Sequence, residues 1–100
     1  MLKISVVDGQ KRRYVVLEGG LIQPWAGELR AVCEQARADC AIRELIIDLR
    51  SLTMISAEGE EILLQLMREG FRIRSHDVFT RQVMRQLTNR LGPNIQRQRK

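Results

Sequence analysis

Residues 43–69 read RELIIDLRSLTMISAEGEEILLQLMRE, and this stretch decides the fold. Its first part, residues 45–49, is an apolar run interrupted only by Asp48, a pattern typical of a strand buried on both faces of a sheet. Residues 51–55 add turn-forming residues and three more apolar ones. From Ser56 onward the apolar residues recur with helical spacing, so the stretch predicts a central strand, a short connection and a helix. The apolar residues of this helix are Ile62, Leu63, Leu66 and Met67.

The connection into this helix has the residues of a helix start. Ser56 can accept hydrogen bonds from free backbone N–H groups, and the acids that follow favour the positive end of the helix dipole. In open α/β sheets, binding and chemical sites lie where the carboxyl end of a strand meets the start of a helix. We therefore expect the functional site in residues 56–61. These are Ser56, Ala57, Glu58, Gly59, Glu60 and Glu61, with all three glutamates expected in the first turn.

Residues 46–66, IIDLRSLTMISAEGEEILLQL, resemble the core motif of the STAS domain family, which is named for sulfate transporters and anti-sigma factor antagonists. In that family a buried strand ending in Asp-Leu leads through a short apolar segment into Asp-Ser-x-Gly at the head of a helix. Gly59 matches the glycine of this motif, while Ser56 stands at its aspartate. Ala57 stands at its serine, which a partner kinase phosphorylates in the family. The resemblance covers about residues 2–91.

The resemblance implies a non-enzymatic, regulatory protein-interaction module similar to an anti-sigma factor antagonist. Its partner would be an anti-sigma factor, a serine kinase-type ATPase or a sensory complex, docked around residues 56–61. Ala57 has no hydroxyl, so the family's phosphorylation switch cannot operate at that residue. Three interpretations stay open: an unswitched scaffold, which we favour, a switch moved to Ser56, or a degenerate copy with another partner. The resemblance also permits a small-ligand or nucleotide-binding domain, which a pocket with convergent polar groups would favour.

The segments before this stretch predict a hairpin and a helix. Residues 3–8 and 14–18 are rich in strand formers and flank a turn at Asp8-Gly9, and Gly19-Gly20 is expected to end the second strand. Pro24 suits the first turn of the following helix. The predicted inner face of that helix consists of Trp25, Leu29, Val32, Cys33 and Ala36; for Trp25 we favour a core position over a partner-binding one.

The segments after it predict one more strand and one more helix. Glu69-Gly70 closes the second helix, residues 71–74 alternate apolar with basic as an edge strand does, and Asp77 can cap the last helix. Gly92-Pro93 is expected to stop that helix, ahead of a frayed basic tail at residues 94–100. The apolar stripe of the last helix is Phe79, Val83, Leu87 and Leu91.

The whole pattern predicts one α/β domain over residues 1–93, a mixed sheet flanked by helices in the order β-β-α-β-α-β-α. Helical crossovers require parallel neighbours, so the last three strands should be parallel and the first antiparallel. The chain has 100 residues, 44% of them hydrophobic, without an apolar run that could span a membrane or act as a signal peptide. We therefore expect a cytoplasmic protein.

The chain has a net charge of +5, and its charged residues are unevenly distributed along the sequence. Residues 71–100 hold eight Lys or Arg against one Asp, whereas residues 1–70 hold nine against eleven Asp or Glu. A basic third of this kind fits nucleic acid or an acidic partner, but also a solvated helix face, which we favour. With only 4% aromatic residues and no helix-turn-helix pattern, specific nucleic-acid recognition is not predicted.

The sequence shows no arrangement for catalysis, so we expect neither enzyme activity nor a cofactor. Ser75-His76-Asp77 are adjacent in one loop, whereas catalytic triads are assembled from separate segments. Asp48 is a buried carboxylate that we expect to accept hydrogen bonds from loop N–H groups; a Mg²⁺ site would need acids from several strands. Cys33 and Cys40, seven positions apart, are predicted to be free thiols, and His76 has no neighbours suited to a metal.

Overall fold

Strand-forming and helix-forming segments follow one another in the predicted order. The computed structural model describes residues 1–38 and 44–91. Cys40, the predicted helix stop at residues 92–93 and the basic tail at residues 94–100 lie outside the described residues. The elements are β1 (Leu2–Asp8), β2 (Arg12–Leu21), α1 (Ala26–Ala38), β3 (Glu44–Ile55), α2 (Ala57–Arg68), β4 (Arg72–Ser75) and α3 (Val78–Leu91).

The strands form one sheet in the order β1-β2-β3-β4. β1 is antiparallel to β2, whereas β2, β3 and β4 are parallel, which confirms both predictions about strand direction. Each crossover moves one strand along the sheet in the same direction. Because such crossovers are right-handed, the helices of the described chain lie on one face of the sheet, and we call the other face the open face.

The core lies between the sheet and the helices. Alternate residues of β2 and β3 point into it, while the residues between them, such as Val16 and Asp48, lie on the open face. β2 and β4 flank β3, so β3 is a central strand, as predicted. Full burial of one of its aliphatic side chains contributes about 1.5–3 kcal/mol. Fully buried core residues include Val15, Leu17, Leu29, Cys33, Ile47, Leu49, Leu63 and Leu66.

Two strands are longer than predicted. β3 continues past Leu49 to Ile55, and β2 continues through Gly19 and Gly20 to Leu21, which pairs with Ile55. Register shifts at two places in β2, one of them between the two glycines, maintain this pairing. The glycines therefore permit an irregular continuation of the strand, and the expected turn in residues 51–55 is wrong because these residues find a partner strand.

The backbone conformation at residue 19 requires glycine. Its φ is +98°, a left-handed value that side chains rarely adopt, and a Cβ there would overlap the carbonyl oxygen of Met1. The next amide, Gly20 N–H, donates to that same oxygen at 3.0 Å. The first residue of the chain is thereby bonded to the irregular end of β2.

α1 begins at Ala26, so Pro24 lies in the turn ahead of the helix and not in its first turn. The predicted inner face is confirmed at the buried Leu29, Cys33 and Ala36. Val32 is half-buried and packs against the core. Trp25 is also half-buried, but it lies in the turn before Ala26 and so outside the helix.

Cys33 is a free thiol inside the core, in agreement with the prediction for this residue. Burial raises the pKa of the Cys33 thiol to about 12, because the apolar surroundings disfavour the charged thiolate. The side chain therefore acts as a small apolar residue at neutral pH.

α2 buries Leu63 and Leu66 as predicted, and Leu64 joins them. Its first turn holds Glu58 and Glu60, whereas Glu61 falls one residue beyond it. The predicted end of this helix is confirmed at Gly70, whose φ of +94° is the left-handed value of a helix terminus.

α3 begins after Asp77, whose carboxylate accepts a hydrogen bond from the Thr80 N–H at 2.8 Å, which confirms the predicted cap. This hydrogen bond is the main reason why the pKa of Asp77 is lowered. Val83 and Leu87 are buried as predicted. Phe79 is exposed and Thr80 is buried in its place, because the Thr80 hydroxyl donates to the Asp77 carboxylate at 2.7 Å.

Among the described residues, no helix is both long and apolar enough to cross a membrane.

Candidate functional site

The start of α2, residues 56–61, lies at the carboxyl end of β3, where the sequence predicts it. Ser56 is the N-cap residue, and its side-chain oxygen accepts a hydrogen bond from Gly59 N–H at 3.1 Å. Two further bonds tie Ser56 to the end of β2, because its N–H lies 3.1 Å and its hydroxyl 3.4 Å from the carbonyl oxygen of Leu21. The hydroxyl of Ser56 is therefore engaged both as donor and as acceptor.

Gly59 allows this close contact between helix and sheet. A Cβ at Gly59 would overlap the carbonyl oxygen of Leu21 and would lie only 3.2 Å from Ile55 Cγ2. Both neighbours belong to the ends of strands that pair with each other, so neither can move easily. The start of α2 is thus fixed against the sheet by the absence of a side chain.

The outer side of the same helix start faces solvent. Ala57 and Glu58 are exposed at its first two positions. Next to them in the chain, Met54 of β3 is 56% exposed, because its partner on β2 is Gly20, which offers no side chain to cover it. Met54, Ala57 and Glu58 are all exposed and lie within five positions of the chain. Because the sequence predicts that a partner docks around this helix start, we call these three residues the docking surface.

The acids of α2 differ in their surroundings. Arg90 of α3 forms an ion pair with Glu61 and approaches Glu60 at 3.8 Å. In the described part of the chain, Glu58 takes part in no ion pair, so it carries the uncompensated charge of the docking surface.

A second group of polar side chains lies on the open face of the sheet. Asp48 is its centre, with a side chain only 1% exposed. Its Oδ1 lies 2.6 Å from His76 Nε2, and its Oδ2 accepts a hydrogen bond from Arg74 Nη2 at 3.3 Å. Arg50 Nη2 is 3.9 Å from Oδ2. We call Asp48, Arg50, Arg74 and His76 the Asp48 cluster.

The cluster corrects one prediction. Side chains from β3, β4 and the segment after β4, and not loop N–H groups, surround Asp48, because parallel pairing sets Asp48 opposite Arg74. The neighbours Ser75-His76-Asp77 do not converge, as predicted, since His76 contacts Asp48 while Asp77 caps α3. Sequence reasoning missed the Asp48–His76 contact. A buried carboxylate needs a partner, and this requirement was the signal in the sequence, although it does not say which residue the partner is.

No cluster of three or more His, Cys, Asp or Glu suited to a metal ion exists among residues 1–38 and 44–91. Asp48 and the α2 glutamates occupy separate parts of the surface: Asp48 is bonded to His76 and Arg74, whereas Glu60 and Glu61 pair with Arg90. The structure therefore brings together the predicted residues 56–61 and leaves Asp48 in a different site.

Neither a protein-family model nor a curated protein sequence matches the chain. Among solved structures, the crystal structure of an anti-sigma factor antagonist from Mycobacterium paratuberculosis is similar. The TM-score is 0.70 and the sequence identity 22%, over 82% of this chain and 74% of that chain. At this identity the likeness shows the fold: a four-stranded mixed sheet with three helices among the described residues, arranged as in the STAS-like fold.

Proposed function

We propose that the protein is a non-enzymatic regulatory module that binds a protein partner through the docking surface at the start of α2. The observation that carries this proposal is the arrangement of residues 56–61. Ser56 is hydrogen-bonded to Leu21 and Gly59 on the inner side of the helix start, while Ala57 and Glu58 are exposed on its outer side. A preorganised, exposed element loses little conformational entropy on binding. The similar solved structure is of an anti-sigma factor antagonist, and a partner such as an anti-sigma factor, a serine kinase-type ATPase or a sensory complex is consistent with that likeness.

The composition of the docking surface favours a protein over a small molecule. Met54 is an exposed apolar side chain that a partner protein can cover, whereas small-ligand sites are concave and bury most of the ligand. Methionine adapts its shape to the surface it meets and is enriched at interfaces. The partner would supply an apolar depression for Met54 and a basic group near Glu58.

The module operates without the phosphorylation switch of the family it resembles. Ala57 occupies the exposed first position of α2, where a serine hydroxyl would be open to a kinase. Ser56 has a hydroxyl, but that hydroxyl bonds to Leu21 and Gly59 and belongs to a half-buried side chain. A phosphate on Ser56 would remove the proton that this hydroxyl donates to Leu21 and would need room at a half-buried side chain, so we propose an unswitched scaffold that is always competent to bind.

Affinity capture from a lysate of the native host tests this function. The bait is the full chain, compared with Met54→Asp and with the matched control Val78→Asp, which changes a 77% exposed valine at the start of α3. Partners identified by mass spectrometry should be retained by the parent and by the control and lost by Met54→Asp. The affinity of the purified partner should fall by at least about tenfold for Met54→Asp, as for an interface anchor. Equal binding by all three baits would contradict the proposal.

A further inference from the structure

The open face of the sheet carries a depression of about 280 Å³ beside the Asp48 cluster. Parallel and antiparallel pairing bring its lining together from all four strands, since Val16 lies opposite Asp48 and Asp48 opposite Arg74. The volume is near the lower limit for sites that bind small molecules. The lining consists of Val7, Tyr14, Val16, Asp48, Arg50 and Arg74.

The charges in this depression do not balance. Two guanidinium groups face one carboxylate, so the depression is positive even with His76 neutral. Arg74 is 46% exposed and uses one hydrogen bond on Asp48. Arg50 is 57% exposed, and at 3.9 Å from Asp48 it is attracted to the carboxylate without a hydrogen bond to it. Both arginines therefore keep donors that point to solvent.

Asp48 sets the distance between the two arginines. Both Nη2 atoms approach the same oxygen, Oδ2, so they lie within about 7 Å of each other. Two charge-assisted hydrogen bonds of about 2.8 Å, together with the width of one carboxylate or phosphate group, span such a gap. Two of the lining residues, Val7 and Val16, are apolar, which strengthens a charge interaction there compared with one in open water.

The arginines around Glu44, on the same face of the sheet, show how the Asp48 cluster differs from an ordinary ion pair. Glu44 also faces two arginines, but Arg12 Nε donates to it at 3.0 Å and Arg72 Nη1 also donates to it. The hydrogen bond from Arg12 is the main reason why the pKa of Glu44 is lowered. Both arginines at Glu44 are hydrogen-bonded to the carboxylate, whereas Arg50 at Asp48 is not.

We propose that this depression binds the oxyanion group, carboxylate or phosphate, of a small molecule between Arg50 and Arg74. Asp48 acts as a positioning residue that holds both guanidinium groups toward the ligand. Planar guanidinium groups suit bidentate recognition of such groups, which favours an oxyanion over a halide. The site lies on the open face and is independent of partner binding at α2.

Two-dimensional ¹H–¹⁵N NMR titrations of the full chain test this site. Sodium phosphate and sodium acetate are added in separate series at one pH, with sodium chloride keeping the ionic strength constant. We expect saturable shifts of the amide signals of Val7, Tyr14 and Arg50 in at least one series. Saturation with phosphate alone assigns a phosphate ligand, with acetate alone a carboxylate ligand, and with both an oxyanion of either kind.

Two variants complete the test. Arg50→Gln removes an exposed guanidinium that makes no hydrogen bond to Asp48, so it should fold and should weaken the apparent affinity at least tenfold. Arg72→Gln removes the same charge from the Glu44 pair and should change the affinity less than twofold. Shifts that grow linearly in both series, an unchanged affinity for Arg50→Gln, or an equal loss for Arg72→Gln would each overturn the proposal.

Discussion

The start of α2 and the Asp48 cluster lie along the same strand, β3, and are built in opposite ways. The start of α2 is held on its inner side by backbone groups and by a missing side chain, so its outer residues take no part in stability. The Asp48 cluster is held by polar and charged side chains around a buried carboxylate, so its hydrogen-bonded members Arg74 and His76 contribute to stability as well as to the surface. We conclude that the first region can change its surface freely, while the second cannot.

The largest effect is expected where the start of α2 contacts the sheet. Gly59→Ala places a methyl group against the Leu21 carbonyl and should lower the free energy of unfolding by about 2–4 kcal/mol. The matched control is Gly27→Ala in α1, where a Cβ meets nothing within 4 Å and the change should stay below about 1 kcal/mol. Urea denaturation of the three proteins measures the difference. Equal midpoints for the two variants would show that the helix start is not fixed in this way.

The next effect concerns the Asp48 cluster. Arg74→Gln removes the only guanidinium that is hydrogen-bonded to the buried carboxylate within the described chain, and because Arg74 is itself partly exposed, the loss should be about 1–2 kcal/mol. Arg72→Gln breaks a solvent-exposed pair and should lose less than about 1 kcal/mol. Adding Asp48→Asn to Arg74→Gln should recover part of the loss, since the buried carboxylate that has lost its guanidinium hydrogen bond is then no longer charged. A loss for Arg74→Gln no larger than for Arg72→Gln in the same denaturation assay would contradict this account.

A smaller effect, and one that depends on pH, is expected at the junction between the cluster and α3. The folded protein lowers the pKa of Asp77 through its bond to Thr80, so the stability that this carboxylate contributes is present above its unfolded pKa of about 3.9. That contribution is lost as the pH falls through the lower pKa of the folded state. The difference in melting temperature between the parent and Asp77→Ala should therefore shrink below about pH 4. Asp77→Asn can still cap the helix and should show no such pH-dependent loss relative to its own value at neutral pH.

The smallest effect on stability is expected at the docking surface. Ala57→Ser changes an exposed residue and should alter the free energy of unfolding by less than about 0.5 kcal/mol. Incubated with a cognate serine kinase and ATP, the parent should take up no phosphate, whereas the variant should be phosphorylated at residue 57. Mass spectrometry locates the phosphate. Stoichiometric phosphate on Ser56 of the parent would show instead that the switch has moved by one residue.

The parts of the molecule that sequence predicts well are those whose cause is local. The apolar run at residues 45–49, the cap at Ser56 and the left-handed Gly70 each act within a few residues, and each is found in the structure. Element order and strand direction follow, because a helix between two strands leaves little choice of topology.

The parts that were missed depend on contacts between distant segments. Gly19 and Gly20 were expected to end β2, yet pairing with the end of β3 carries the strand past them. Phe79 fits an apolar stripe, but Thr80 takes the buried position because Asp77 satisfies its hydroxyl. The Asp48–His76 contact joins residues of β3 and of the segment after β4, and no spacing in the sequence encodes it.

The contacts of Arg90 have a consequence for how fast a partner can bind. Arg90 forms an ion pair with Glu61 and approaches Glu60, which leaves Glu58 as the one acid of the helix start without an ion pair in the described chain. A few charges at one helix start attract an approaching protein only weakly over distance, so we infer that this surface adds little electrostatic steering to an ordinary association rate on the order of 10⁵–10⁶ M⁻¹s⁻¹. The strength of the complex would then be set by its lifetime, and so by how closely Met54 is packed once bound.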